Sequence, residues 1–459
     1  GAGGTGLDCE APSDGVCGEH MKKVLLYSWL LIGGLVLGQI IDQGPIALWV
    51  RLGTMFCLSF IMVHVGYEFE IDKSRPGQYA WDYAVAFTAA AFPWVFVTAY
   101  FVFVMSPQPL WGHMDLWKET LLAGRFASPT SAGVLFSMLA AAGLATTWVF
   151  RKARILAIFD DLDTILLMIP LKMLMVGMRW QLWTIVAFIV LMLMMAWRYL
   201  HVVRLPVTWP WVMLYSALIV LVSEMIYIGS KGIDPMVPIH LEVLLPAFVM
   251  GCALKRPAGH DPHRDDHREG HQEGPESPGE QRIATIVAAG FMVLVGLSMP
   301  PIQLDPTRHD ADVRLIPAAD DVALTPAATD VAPAQRKSIL GYEGAPPEAL
   351  AKKRAFPGWG MIALHVLVVT VLSNIGKMYP VFCYRREAPW QHRLAVAVGM
   401  FPRGEVGAGV LVISLGYGLG GPILTVAVLS LALNLLCTGM FIFVVRKLLA
   451  AAPERPQAA

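Results

Sequence analysis

Apolar residues in this chain run in long blocks of about 20, the length a helix needs to cross a hydrocarbon core of roughly 30 Å. In lipid every backbone polar group must be satisfied within its own segment, so such blocks fold as helices. Composition supports the same reading. Hydrophobic residues fill 56% of 459 positions and charged residues only 15%, against about 25% charged in a soluble domain. Too little polar surface is left to hold the chain in water, and the expected fold class is an all-α membrane protein. Lys plus Arg equal Asp plus Glu at 35 each, so bulk charge points neither to nucleic acid nor to an acidic partner.

Apolar blocks between charged or turn-rich breaks predict about 12 transmembrane spans. They lie near 24–41, 46–67, 80–105, 119–148, 153–177, 180–198, 207–228, 238–254, 283–300, 359–383, 393–416 and 421–445. The short loops orient them. With Met21-Lys22-Lys23 in the cytoplasm, Lys73, Arg75, the Arg151–Arg154 group, Arg198, Arg204, Arg385, Arg386, Arg446 and Lys447 share that side. Three of the opposite short loops carry no Lys or Arg, and Arg179 and Lys231 are isolated exceptions. An even span count returns both termini to the cytoplasm. Met21 reads as a natural start, so residues 1–20 are expected to be a disordered N-terminal extension, and 21–459 a single transmembrane domain.

The polar remainder carries weaker signals. Six cysteines (Cys9, Cys17, Cys57, Cys252, Cys383 and Cys437) form neither a CxxC pair nor a zinc spacing with histidine, and read as small apolar fillers. The cytoplasmic loop 255–282 holds His260, His263, His267 and His271, a spacing that would share one helix face. Its prolines and Gly270 argue for a solvated loop instead. Residues 303–357, rich in Pro, Ala and Asp, are expected to be a largely irregular connector on the non-cytoplasmic side.

The fifth span contains Phe159-Asp160-Asp161-Leu162-Asp163-Thr164. One ionised carboxylate at the bilayer centre costs about 2.5–3.5 kcal/mol on insertion scales. Three within four residues cannot face lipid, so they must line water or meet cations. At about 100° per residue, Asp163 lies roughly 60° from Asp160 and away from Asp161. Thr164 lies about 40° from Asp160, where its hydroxyl can help line a cation site. Adjacent carboxylates raise each other's proton affinity and titrate as a unit. Such a pair holds protons and surrenders them to a hard cation that prefers oxygen ligands. Lys377, in Ser373-Asn374-Ile375-Gly376-Lys377 of the tenth span, is the candidate counter-charge. The competing reading is a lysine snorkelling to the interface.

Two spans contain helix-breaking polar runs: Ser128-Pro129-Thr130-Ser131-Ala132-Gly133 in the fourth, and Met400-Phe401-Pro402-Arg403-Gly404-Glu405 in the eleventh. Irregular backbone at membrane depth survives only under protein or beside a water-filled cavity, and broken helices in matching halves mark the midplane site of inverted-repeat transporters. A faint internal echo accompanies them. Gly124-Arg125-Phe126 precedes Ala132-Gly133-Val134-Leu135, and Gly399-Met400-Phe401 precedes Ala408-Gly409-Val410-Leu411. Spans three to five would then correspond to spans ten to twelve. A pair of ordinary proline kinks is the alternative. Arg125 either balances the acids or braces the break. Glu224, Glu242, His64, His240, His365 and Lys172 read as helix-contact or interfacial residues.

On Asp160-Asp161-Leu162 and Pro402-Arg403-Gly404-Glu405, the chain resembles the monovalent cation:proton antiporter superfamily, specifically bacterial Na+/H+ antiporters with paired aspartates. Ser128-Pro129-Thr130-Ser131, Gly376-Lys377 and Gly66-Tyr67-Glu68-Phe69-Glu70-Ile71-Asp72 add to the likeness, which spans most of 24–447. The resemblance implies two inverted repeats with crossed, partly unwound helices, here spans four and eleven. It implies a core of spans 3–5 and 10–12 that moves against a dimerisation domain, as a homodimer in the bacterial inner membrane. Asp161 would bind the transported Na+ or proton, and Asp160 would pair with Lys377. Ser128, Thr130, Ser131, Arg403 and Glu405 would line the unwound site, with Asp163 and Thr164 as accessory residues. The implied activity is electrogenic exchange of Na+ or Li+ for protons, with no cofactor. Asp163 and the long 303–357 segment depart from the pattern. K+/H+ exchange is the first alternative, and a sodium-coupled organic-anion symporter on a related fold the second. An intramembrane aspartyl protease needs aspartates on two facing helices and a GxGD motif, which is absent, so no enzyme is expected.

Overall fold

Helices form where the apolar blocks predict them; Pro93 and Pro170 lie inside helices, whereas the runs holding Pro129 and Pro402 interrupt theirs. The computed structural model describes residues 14–41, 46–67, 76–145, 147–177, 180–199, 202–233, 243–255, 278–299, 342, 345–417 and 419–452. In chain order the helices are α1 (Asp14–Ile40), α2 (Ala47–Tyr67), α3 (Pro76–Phe103), α4 (Met114–Gly124), α5 (Ala132–Ala141) and α6 (Trp148–Val176). Then come α7 (Trp180–Arg198), α8 (Trp209–Ile233), α9 (Leu244–Ala253), α10 (Pro278–Leu297) and α11 (Pro347–Arg354). The last are α12 (Trp359–Gly376), α13 (Pro380–Cys383), α14 (Trp390–Gly399), α15 (Glu405–Gly416), α16 (Pro422–Leu436) and α17 (Thr438–Ala450). Among the described residues the only β pairing is an isolated bridge between Val203 and Leu254. The protein is all-α.

Six of these segments are long and apolar enough to cross a membrane: Lys22–Ile40, Ala47–Tyr67, Gly77–Phe103, Trp180–Arg198, Trp209–Ser230 and Trp359–Cys383. The bent pair α16–α17, kinked by 46°, makes a seventh if it is one span. The other expected spans coincide with shorter helices, with the two broken pairs, or with α6, whose charges set it apart from an ordinary apolar span. Large apolar side chains project outward from α7 and α8, among them Trp183, Leu191, Met194, Leu218, Leu221 and Met225. Arg125, Asp160, Asp163, Lys377 and Arg403 have no exposure at all. Apolar outside and charged inside reverses the soluble pattern and is compatible with an integral membrane protein.

Close backbone approach ties neighbouring helices. A Cβ on Gly66 would sit 2.2 Å from the Phe248 carbonyl oxygen, and one on Gly251 2.2 Å from that of Val63, so α2 and α9 touch through glycine. Gly376 plays the same part between α12 and α3, where a Cβ would lie 2.4 Å from Pro93 N.

One expectation is corrected. Residues 14–20, read as part of a disordered extension, begin α1, because no proline or glycine pair stops the helix between Asp14 and the apolar block. Within the connector 303–357, expected to be largely irregular, the described residues include one short helix: Pro347 starts α11, and Glu348 lies in its first turn, where a negative charge is favourable. The His-rich run 256–277, the Glu68–Asp72 motif, His240, Glu242 and residues 303–341 lie outside the described residues.

Candidate functional site

The two proline-bearing runs meet in the middle of the molecule. After α4 the chain makes a 3-10 turn over Arg125–Ala127 and leaves the helix through 128–131 before α5. Between α14 and α15, residues 400–404 are likewise non-helical. Proline at 129 and 402 has no N–H to continue the helical hydrogen-bond ladder, and both breaks fall there. The freed groups then bond across the crossing. Ser131 N donates to the Pro402 carbonyl oxygen at 2.9 Å, and Thr130 Oγ1 to that of Met400 at 3.0 Å.

Arg403 closes the other side. Its Nε donates to the Ala127 carbonyl oxygen (2.9 Å), Nη2 to that of Ser373 (2.9 Å) and Nη1 to Asn374 Oδ1 (2.7 Å). A planar fork of fixed donors suits this role, and a lysine could not fill it. Ser131 caps α5 by accepting from Val134 N, and Ser128 Oγ donates to the Ala90 carbonyl oxygen of α3 at 2.7 Å. Ser128, Thr130, Ser131 and Arg403 therefore build the crossing. Glu405 opens α15, and its side chain lies outside the described residues.

α6 passes beside this crossing and presents its acids to different neighbours. Asp160 Oδ2 accepts from Lys377 Nζ at 2.8 Å and from Thr130 N at 2.7 Å. Lys377 reaches it because α12 ends there, with Pro380 beginning the next short helix and Gly376 letting α12 sit against Pro93. Asp161 and Thr164 turn to a cavity of about 200 Å3, otherwise lined mainly by apolar side chains that include Tyr79, Trp197, Phe248 and Val406. Thr164 Oγ1 also donates to the Asp160 carbonyl oxygen at 2.9 Å. Asp163 points elsewhere, its carboxylate beside the Tyr83 phenol of α3. Arg125 donates to the Asp163 backbone oxygen at 3.0 Å and lies 4.9 Å over the Trp94 ring. Among the described residues no three His, Cys, Asp or Glu side chains converge as a metal-binding group would, in keeping with three acids that diverge around one helix.

Two polar networks escaped the sequence reading. Lys152 Nζ meets both Asp82 oxygens (3.1 and 3.2 Å) and Glu387 Oε2 (3.0 Å), and the Tyr384 hydroxyl donates to Asp82 Oδ1 at 2.8 Å. This brace ties α3 and the start of α6 to the turn after α13. Its one sequence signal is Asp82, an acid inside an apolar block. Lys152 sat within a basic group that read as a loop signal, yet it is buried. The second network joins Glu119 of α4 to Lys353 of α11 and to Tyr342. Two of the polar residues outside the crossing make helix contacts: Glu224 pairs with Arg51, and the Tyr100 hydroxyl meets His365 Nδ1 at 2.7 Å.

Fold and site together define a class: an all-α protein with apolar helices of membrane-crossing length, built around two interrupted helices and a buried cluster of acids and bases. No family model matches the chain, and no curated protein matches it either.

Proposed function

We propose that this protein is a secondary antiporter that exchanges Na+ or Li+ for protons across a membrane. The observation that carries the reading is the pair of neighbouring acids on α6 with separate tasks. Asp160 is neutralised by Lys377 at 2.8 Å, while Asp161 faces the cavity.

The charge balance explains why two such acids make an exchanger. Around the crossing, the carboxylates of Asp160, Asp161 and Asp163 share a buried region with Lys377, Arg125 and Arg403. A proton or a monovalent cation arriving at Asp161 each adds one positive charge. Both together would place two in a medium of low dielectric, where like charges repel strongly. Asp161 therefore accepts one or the other, and occupancy by one ion drives out its competitor. Thr164 supplies a further oxygen at the same cavity wall. The interrupted helices keep the backbone satisfied around the site without filling it.

Electrogenic exchange, which needs a second proton moved per cation besides the one that Asp161 gives up, belongs to the same reading through the resemblance to paired-aspartate antiporters, as do a homodimer, a bacterial inner membrane location, cytoplasmic termini, the full set of twelve spans and the inverted repeat. Potassium in place of sodium is the alternative. The test is reconstitution in liposomes, with internal pH followed as Na+, Li+, K+ or choline is added outside. Proton movement with Na+ or Li+ and none with choline is expected. A larger response to K+ selects the alternative, and no cation-dependent proton movement ends the reading. An imposed voltage that leaves the rate unchanged would contradict electrogenic exchange.

A further inference from the structure

Asp161 gives up one proton per cation, and Asp163 takes no part in that step. The two stand about 160° apart around α6, so they cannot share one ion. Asp163 has no solvent exposure, and among the described residues neither of its carboxylate oxygens reaches a hydrogen-bond partner. The Tyr83 phenol of α3 lies beside it.

Arg125 offers what an ionised carboxylate would take. Its guanidinium is fully buried and donates through Nη2 to the Asp163 backbone oxygen at 3.0 Å. Among the described residues its Nε and Nη1 have no hydrogen-bond partner. Bonds from arginine to a carboxylate are among the strongest in proteins, and a buried charge left unpaired is costly. An ionised Asp163 would take those donors, on a side chain that already touches its own backbone. The carboxyl group leaves them unused and sits beside a phenol. That is the placement of a neutral acid. The other charges facing Asp163 are Asp160 on its own helix and Lys377 at the end of α12. Those two pair with each other, which leaves Arg125 to balance Asp163 when it ionises.

We propose that Asp163 holds a second proton, apart from the one on Asp161, and gives it up each time a cation is taken up. The inference rests on the exchange reading and names the proton that electrogenic exchange requires. On release the Asp163 O–H bond breaks, the proton passes to water in the cavity, and the carboxylate left behind accepts from Arg125 Nε or Nη1. Tyr83 stands between Asp163 and the cavity wall. It is half-buried, lies one turn beyond the cavity-lining Tyr79 on α3, and meets the Phe159 ring edge-on at 5.5 Å. Phe159 lines the cavity one turn before Asp163. A cation that replaces the Asp161 proton leaves the local charge as it was. Loss of the Asp163 proton gives the cycle its net charge. Arg125 belongs to the interrupted segment, so the turn of Asp163 toward it alters the contact between α6 and the crossing and links the second proton to the conformational step of exchange.

Stoichiometry in liposomes tests it. Wild-type exchange should respond to an imposed voltage. Asp163→Asn should still exchange Na+ for protons, lose the voltage response, and move half as many protons per cation. A full voltage response in Asp163→Asn overturns the proposal. So does wild-type exchange that ignores voltage, because no second proton then moves. If Asp163→Asn does not exchange at all, infrared difference spectra of the purified protein decide. Without Na+ the wild type should show the carbonyl band of a neutral carboxylic acid, sensitive to D2O, that Asp163→Asn lacks and that added Na+ bleaches. Identical bands in the two proteins overturn the proposal. A wild-type protein without any exchange would defeat the antiporter reading and leave the infrared comparison to judge the proton on Asp163 alone.

Discussion

Lys377 Nζ lies 2.8 Å from Asp160 Oδ2, and neither side chain has any solvent exposure. The pair joins the end of α12 to the middle of α6 beside the place where the two interrupted helices cross. A buried ion pair contributes little net stability, because desolvation offsets the attraction. Removing one partner is costly, because a lone charge is left behind.

Lys377→Met should therefore destabilise the protein by about 3–5 kcal/mol, read as a lower thermal melting temperature in detergent. The double variant Asp160→Asn with Lys377→Met should recover much of that loss. Additive losses would mean the two residues do not act as a pair.

Gly376→Ala adds a single methyl group where a Cβ would lie 2.4 Å from Pro93 N and 2.7 Å from its Cα. Backbone atoms cannot rotate away, so α12 and α3 must separate. Overpacking of this kind costs about 1–3 kcal/mol. The shift should also draw Lys377 from Asp160. Melting of Gly376→Ala and of Gly376→Ala with Lys377→Met checks this: once the pair is loosened, the second substitution should cost less than it does alone.

Lys152 is bonded to Asp82 and Glu387 and lies 4.4 Å over the Tyr384 ring. Lys152→Met leaves Asp82 with the Tyr384 hydroxyl as its remaining hydrogen-bond donor in this network, and should cost about 3–5 kcal/mol. Lys152 lies eight residues before Asp160, about 12 Å along α6, so the loss should be nearly additive with that of Lys377→Met. Thermal melting of the single and double variants measures it.

The helices, the acid cluster, Lys377 as the counter-charge and the two proline breaks were all legible in the sequence, because each rests on local chemistry. Apolar length, a carboxylate in an apolar block and a proline within a helix are read one segment at a time. Apart from Lys377, the partners were not legible. Periodicity gives the face on which Asp163 lies but not that Tyr83 waits there, and nothing in Ser131 or Pro402 announces a bond between residues so far apart in the chain. Lys152 was misread for a related reason: basic residues at span ends usually mark topology, and only packing shows that this one is drawn inward to Asp82. Tyr342 and α11 were hidden by a connector whose composition resembles a loop. The separate neighbours of Asp160 and Asp161 come from the crossing itself, which only the folded chain assembles.

The central claim is that Asp161 holds either a proton or a monovalent cation, and the most direct measurement is proton release by the purified protein in weakly buffered detergent when Na+ is added. The wild-type protein should acidify the solution in a saturable way. Asp161→Asn should release no protons at any Na+ concentration while keeping a melting temperature close to that of the wild type. Undiminished, saturable release from Asp161→Asn would contradict the account.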